Sequence, residues 1–212
     1  MKSVYSLVLM DDVVEQVDRL AYEANTSRSN MINRILAAYV SYETPEQRIR
    51  EAFSCMERLL TNEGPFQRLL QPSESMLSLR SALAYKYNPT VRYCVELYRG
   101  ASEAVGELRV SLRSQNAALL GSFSRFFRLW NGIEQSRWGT VDSTLESGRY
   151  ARRLLAGRNL SSAEQGERIA GYLGLLDGCM KLYFASLDEP ERTARTIQIR
   201  YNNFFADGDT VL

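Results

Sequence analysis

Apolar and polar positions alternate at the start of the chain and then change period. In Val4–Leu9, Tyr5, Leu7 and Leu9 share one side and Val4, Ser6 and Val8 the other, the two-residue period of a β-strand. From residue 13 the spacing lengthens. Val13, Val14, Val17, Leu20, Ala21 and Ala24 recur every three or four residues, one stripe of a helix that Asp11 or Asp12 can cap. Asn25, tolerant of left-handed dihedrals, closes it. Thr26-Ser27-Arg28-Ser29 then supplies caps for a second helix with the stripe Met31, Ile32, Ile35, Leu36, Tyr39 and Val40.

One strand and two short helices cannot bury those stripes alone, because about forty residues hold too little core for independent stability. The strand also leaves both of its edges unpaired. Both shortages vanish when two chains pair strand with strand and interleave their helices, so residues 1–43 are expected to form a dimerising domain.

Downstream, Thr44-Pro45-Glu46-Gln47 reads as a capping box with proline at the first helical position. It opens a helix bearing Ile49, Phe53, Met56, Leu59 and Leu60, broken by Asn62, Gly64 and Pro65. A helix is expected from Pro72-Ser73 to about Tyr85. A long periodic stretch follows Asn88-Pro89, with Val91, Val95, Tyr98, Val105, Leu108, Leu112, Leu119, Phe123, Phe126 and Trp130 as its apolar positions. Gly100 or Gly106 divides it. Asp142 opens another helix, ended by Gly157; Ser161 with Glu164 forms a second capping box ahead of a helix to about Ser186. The last helix follows Pro190 and ends near Asp207-Gly208. With no hairpin dipeptide read here, residues 44–212 are expected to be an all-α domain, and the chain mainly α.

Composition narrows the chemistry. The 212 residues are 45% hydrophobic and 24% charged and contain no histidine, which removes the commonest general base and metal ligand. Neither a Walker A loop nor a G-x-G-x-x-G motif is present, so no catalytic residue, no metal and no cofactor is expected, and the chain is not read as an enzyme. Cys55, Cys94 and Cys179 lie far apart and read as buried thiols of a reducing compartment, the cytoplasm. Ile169–Phe184 is the most apolar later stretch, but it carries Asp177 and Lys181 and reads as a core helix, so no membrane partner is expected.

The net charge of +1 hides a polarised chain: residues 1–43 carry net −2, 80–158 net +7 and 159–212 net −3. Nearly all the basic groups are Arg, whose fork suits phosphate and carboxylate. Arg109 with Arg113, and Arg149 with Arg153, recur at i, i+4 and would share a helix face. That face meets either DNA or the acidic segment 159–212. Tyr85, Tyr87, Tyr93 and Tyr98, interleaved with Arg92 and Arg99, read either as base-stacking residues or as half-buried helix residues.

The order strand, helix, Ser27-Arg28-Ser29-Asn30-Met31-Ile32, helix resembles the ribbon-helix-helix repressors of the Arc, MetJ and CopG type. The match runs without a gap over Val4–Val40, with Asp11 at the first helix and Ala21 within it in register. The resemblance implies an intertwined homodimer, or a higher homo-oligomer, whose antiparallel ribbon enters the major groove of double-stranded DNA. It implies base contacts from Lys2, Val4, Ser6 and Val8, where Ser6 and Lys2 can hydrogen-bond and the valines pack on thymine methyls. Ser27, Arg28 and Ser29, at the start of the second helix, would grip phosphate. The family usually carries Arg, Lys, Asn, Gln or Thr where Val4 and Val8 stand.

The implied function is sequence-specific DNA binding by a dimeric transcriptional repressor. Alternatives are a DNA-organising accessory protein of plasmid partition or conjugation, an antitoxin-like interaction protein, or a ribbon used only to dimerise. The helical domain would oligomerise, bind an unknown ligand or bind a protein partner.

Overall fold

The structure is a computed structural model that describes residues 4–62, 64–70, 73–100, 103–155 and 160–206. The chain divides into two compact units, one ending at Gln47 and the other beginning at Arg48.

In the first unit, residues 4–10 carry no regular secondary structure. The strand expected there is absent from the single chain, which offers no neighbouring backbone for it to pair with. Two helices follow, α1 (Asp11–Glu23) and α2 (Arg28–Tyr39). Asp11 and Asp12 lie inside the first turn of α1, next to the positive end of its dipole, and Met10 occupies the cap position without a side-chain bond. Asn25 adopts the left-handed backbone expected of it, with φ 47°. Ser27 caps α2, its hydroxyl accepting from the Asn30 N–H at 3.3 Å. Val17, Ala21 and Met31 form a small core with Ile32 against it.

The second unit corrects the expectation of an all-α domain. After α3 (Pro45–Glu57) and a π-helical turn at Arg58–Asn62, the chain builds a six-stranded antiparallel sheet. Its strands are β1 (Gln67–Arg68), β2 (Met76–Ala82), β3 (Thr90–Leu97), β4 (Ala104–Leu112), β5 (Ser143–Glu146) and β6 (Arg149–Leu155), in the order β1-β2-β3-β4-β6-β5. Helix α4 (Ala117–Trp138) lies between β4 and β5 in the chain, and α5 (Ser162–Ala185) and α6 (Pro190–Phe204) follow β6. Three stretches read as helical are therefore strands wholly or in part: the one after Pro72, the first half of the stretch from Asn88, and the one from Asp142.

The misreading has a physical cause. Residues i and i+4 share a face in a helix and in a strand alike; only i+2 separates the two. Val91, Tyr93, Val95 and Leu97 are all buried, as are Leu108, Val110 and Leu112, a period of two that the helical reading passes over at Tyr93, Leu97 and Val110. The turn between β5 and β6 is Ser147-Gly148, a hairpin dipeptide that the helical reading also passes over. Gly148 holds φ 70°, and a Cβ there would sit 2.7 Å from the Leu112 carbonyl oxygen.

The local end signals survive this correction. Thr44 and Gln47 exchange both capping-box bonds (2.8 and 3.2 Å) ahead of α3. Ser161 and Glu164 do the same ahead of α5. Residues 207–212, where the last helix was expected to end, lie outside the described residues.

One face of the sheet, with Leu77, Leu79, Tyr93, Val95, Leu108, Val110, Tyr150 and Leu154, joins Phe123, Phe126, Phe127, Trp130, Leu173 and Leu176 of the helices in a single core. The opposite face carries the exposed Arg80, Arg92, Arg109, Arg149 and Arg153 around smaller, half-buried residues and the buried Ser78. No helix among the described residues is long and apolar enough to cross a membrane.

Candidate nucleic-acid interface

The residues singled out for DNA contact fall in the first unit. Val4 and Val8 are fully exposed and Ser6 is exposed; Lys2 lies outside the described residues. Tyr5, Leu7 and Leu9, expected on the core side of a ribbon, are exposed as well, at 82%, 61% and 42%. The helices behave likewise: Val13 and Leu20 on α1 and Ile35, Leu36 and Tyr39 on α2 are each at least 40% exposed.

At the start of α2, each phosphate candidate already has local duties. The Ser27 hydroxyl is used as the cap, and the Ser29 carbonyl accepts from Asn33 Nδ2 at 3.0 Å. Arg28 forms a two-pronged pair with Asp18 of α1, Nε to Oδ1 at 2.6 Å and Nη2 to Oδ2 at 2.5 Å. Its hydrogen bond and charge hold the Asp18 carboxyl below its ordinary value and raise Arg28 in return. The Arg28 side chain remains 56% exposed. The backbone N–H groups of Arg28 and Ser29, at the positive end of the helix, have no acceptor among the described residues. The geometry thus leaves two N–H groups open at the start of α2 and ties Arg28 across to α1.

Sequence reasoning missed two features of the second unit. The first is a buried polar network. Glu134 of α4 is wholly buried; it accepts from Arg152 Nε (3.1 Å), Tyr172 Oη (2.8 Å) and Tyr201 Oη (3.4 Å), and Tyr150 Oη, 3.4 Å away, donates to Asn131 Oδ1 at 2.9 Å. Trp130 and Trp138 donate to Tyr172 and Tyr201 at 3.0 and 2.7 Å. Burial, reinforced by the Glu134 charge, pushes the Tyr150 and Tyr201 hydroxyls up, so they keep their protons and donate. A second buried carboxylate, Asp177, takes Tyr93 Oη (2.9 Å), Ser81 Oγ (3.2 Å) and Lys181 Nζ (2.7 Å). Both networks lock helices to the sheet, and among the described residues no buried side-chain polar atom is left without a partner.

The second missed feature is the arginine-bearing sheet face. Its signal was the alternation of Arg with apolar residues in Val91-Arg92-Tyr93 and in Arg149-Tyr150-Ala151-Arg152-Arg153. Arg109 pairs with Glu96, Arg152 with Glu134 and Arg153 with Asp142, all partners within 80–158 and not in the acidic tail segment. Arg149 and Arg153 do share a face, but of a strand. No group of acidic or thiol side chains among the described residues is arranged to hold a metal ion.

Comparison with known proteins adds no relative. No family model, curated protein or solved structure matches the chain.

Proposed function

We propose that the chain is a dimeric, sequence-specific DNA-binding protein, a transcriptional repressor whose residues 4–10 pair with those of a second copy into a ribbon for the major groove. The observation that carries the reading is the state of the first unit alone. It buries only Val17, Ala21, Met31 and Ala37 among its apolar side chains and leaves Val13, Leu20, Ile35, Leu36, Tyr39 and Val40 of the helix stripes and the whole of 4–10 exposed. Ordering each residue costs about 1–2 kcal/mol, which so small a core does not offset. A second copy supplies the missing edge for 4–10 and the missing cover for Leu7, Leu20, Ile35 and Leu36. The free N–H groups at the start of α2 then serve as a phosphate seat on each copy.

Sedimentation of the Leu7→Glu and Ile35→Asp variants tests the dimer. In the single chain these residues are 61% and 41% exposed, and a charge there would cost little. In the dimer it enters a shared core, at several kcal/mol. A dimer unchanged in both variants would overturn the reading. Footprinting on the DNA upstream of the protein's own gene tests the repressor role: a short palindromic site is expected. Ser6→Ala should alter which sequence is preferred, while Arg28→Ala should weaken all sequences alike.

A further inference from the structure

The register of the sheet lines up three arginines across the face turned from the core. Arg80 of β2 stands opposite Arg92 of β3, Arg92 opposite Ser111 of β4, and Ser111 opposite Arg149 of β6. All three arginines are exposed. Like charges directly opposite one another repel, as at Arg80 and Arg92, and the side chain of neither Arg92 nor Arg149 has an ion pair or hydrogen-bond partner among the described residues. Arg80 donates only to the neutral Gln67, at 3.0 Å. At the other end of the same face the charge is compensated, Arg109 by Glu96 and Arg153 by Asp142.

The turns at the uncompensated end add to it. The β2–β3 loop exposes Lys86, and the residues after β4 bring Arg113. A groove there is lined by Ser111, Arg113, Ser114, Gln115, Ser147 and Arg149 together with Leu112, Leu120 and Gly148, and by no acidic side chain. Glu146 of β5 stands opposite Arg149 in the register but outside ion-pair range of it.

We propose that this end of the sheet, centred on Arg80, Arg92 and Arg149, seats the phosphate backbone of duplex DNA. The inference rests on the DNA-binding reading above and extends it to the second unit. Charge complementarity selects the occupant: Arg forks and serine hydroxyls are donors for phosphate oxygens, and three strand spacings of about 4.8 Å span about 14 Å, the length of a short run of phosphates on one DNA strand. A protein partner is a poorer fit. On the strands the neighbours of the three arginines are small or polar, Ser78, Ala82, Thr90, Cys94, Ser111 and Ala151, and the exposed aromatic at this end, Tyr87 of the β2–β3 loop, is as suited to stacking on a base as to a protein contact.

The test is the salt dependence of binding of the full chain to a fluorescent duplex. Each phosphate contact contributes about 0.9 to the slope of log K against log salt. The Arg80→Gln/Arg92→Gln/Arg149→Gln variant should lower that slope by about 2.7 per chain, equally for every duplex sequence. Arg92→Gln alone, which relieves a like-charge contact and spares the fold, should lower it by about 0.9. Neutralising three other exposed arginines, Arg128, Arg195 and Arg200, should leave the slope in place. An unchanged slope in the sheet variants, or an equal fall in the control, overturns the proposal. The ribbon is read separately, in the sequence preference that Ser6→Ala should alter. Loss of one readout without the other tells the two apart, and a wild-type chain that binds no duplex overturns both.

Discussion

Replacing Arg152 with Met removes one charge from a site where Glu134 has no access to water. Arg152 is 3% exposed and Glu134 0%, and methionine keeps much of the aliphatic volume while leaving the carboxylate without a counter-charge. Breaking a buried pair in this way typically costs about 3–5 kcal/mol. Two tyrosine hydroxyls still donate to Glu134, Tyr172 at 2.8 Å and Tyr201 at 3.4 Å, while the Tyr150 hydroxyl gives its hydrogen to Asn131 Oδ1 at 2.9 Å; the expected loss is about 3–4 kcal/mol. The guanidinium also lies 5.0 Å over the Tyr172 ring, and methionine cannot replace that cation–π attraction. The second change Glu134→Gln replaces the stranded charge with an amide that can still accept from Tyr172, and should restore about 2 kcal/mol.

Urea unfolding followed by tryptophan fluorescence suits the question. The chain's two tryptophans, Trp130 and Trp138, both donate into this network, so the signal reports the sheet-bearing unit and not residues 1–47. With a slope of about 2 kcal/mol per molar urea, the single variant's midpoint should fall by about 1.5 M or more. A loss under about 1 kcal/mol, or a double variant no more stable than the single one, would refute the reading of Glu134 and Arg152 as a coupled buried pair.

Three further outcomes are expected. Gly166→Ala places a Cβ against the Ala52 carbonyl oxygen and 3.0 Å from its Cα, where α5 meets α3. The gain of about 1 kcal/mol in helix propensity should be outweighed by overpacking of about 1–3 kcal/mol, so the urea midpoint should fall and not rise. Asp18 is held below its ordinary value by Arg28, so the pair's contribution is present above the unfolded Asp range near pH 4 and is lost as pH falls through the lower folded value. Carboxyl NMR titration should find the Asp18 midpoint rising in Arg28→Ala, and an unmoved midpoint would contradict the pair. Burial pushes the Cys179 thiol up to about 11, which leaves roughly one thiolate in a thousand at pH 8. Alkylation of Cys179, read by peptide mass spectrometry, should therefore await unfolding, and rapid labelling of the native chain would show the site to be open.

What the sequence determined by itself was local in range. Ser27, Thr44 with Gln47, and Ser161 with Glu164 mark helix starts because a cap bonds a backbone group only three residues away. The apolar stripes of α1 and α2 were legible in the same way, being turns of one helix. Tertiary structure decided the region from Met76 to Leu155. There the i, i+4 spacing alone fits either period; Tyr93, Leu97, Val110 and the turn Ser147-Gly148 carry the strand signal locally, but the pairing falls to partners distant in the chain, such as β4 with β6 across the whole of α4. The charges followed the same rule. Glu134 reads as one more surface carboxylate until Tyr172 and Tyr201, far along the chain, close over it. Arg80, Arg92 and Arg149 are scattered in sequence and become one row only through strand register. Local hydrogen bonds are written in neighbouring residues, whereas burial and charge density are properties of surfaces that exist only after the chain has folded.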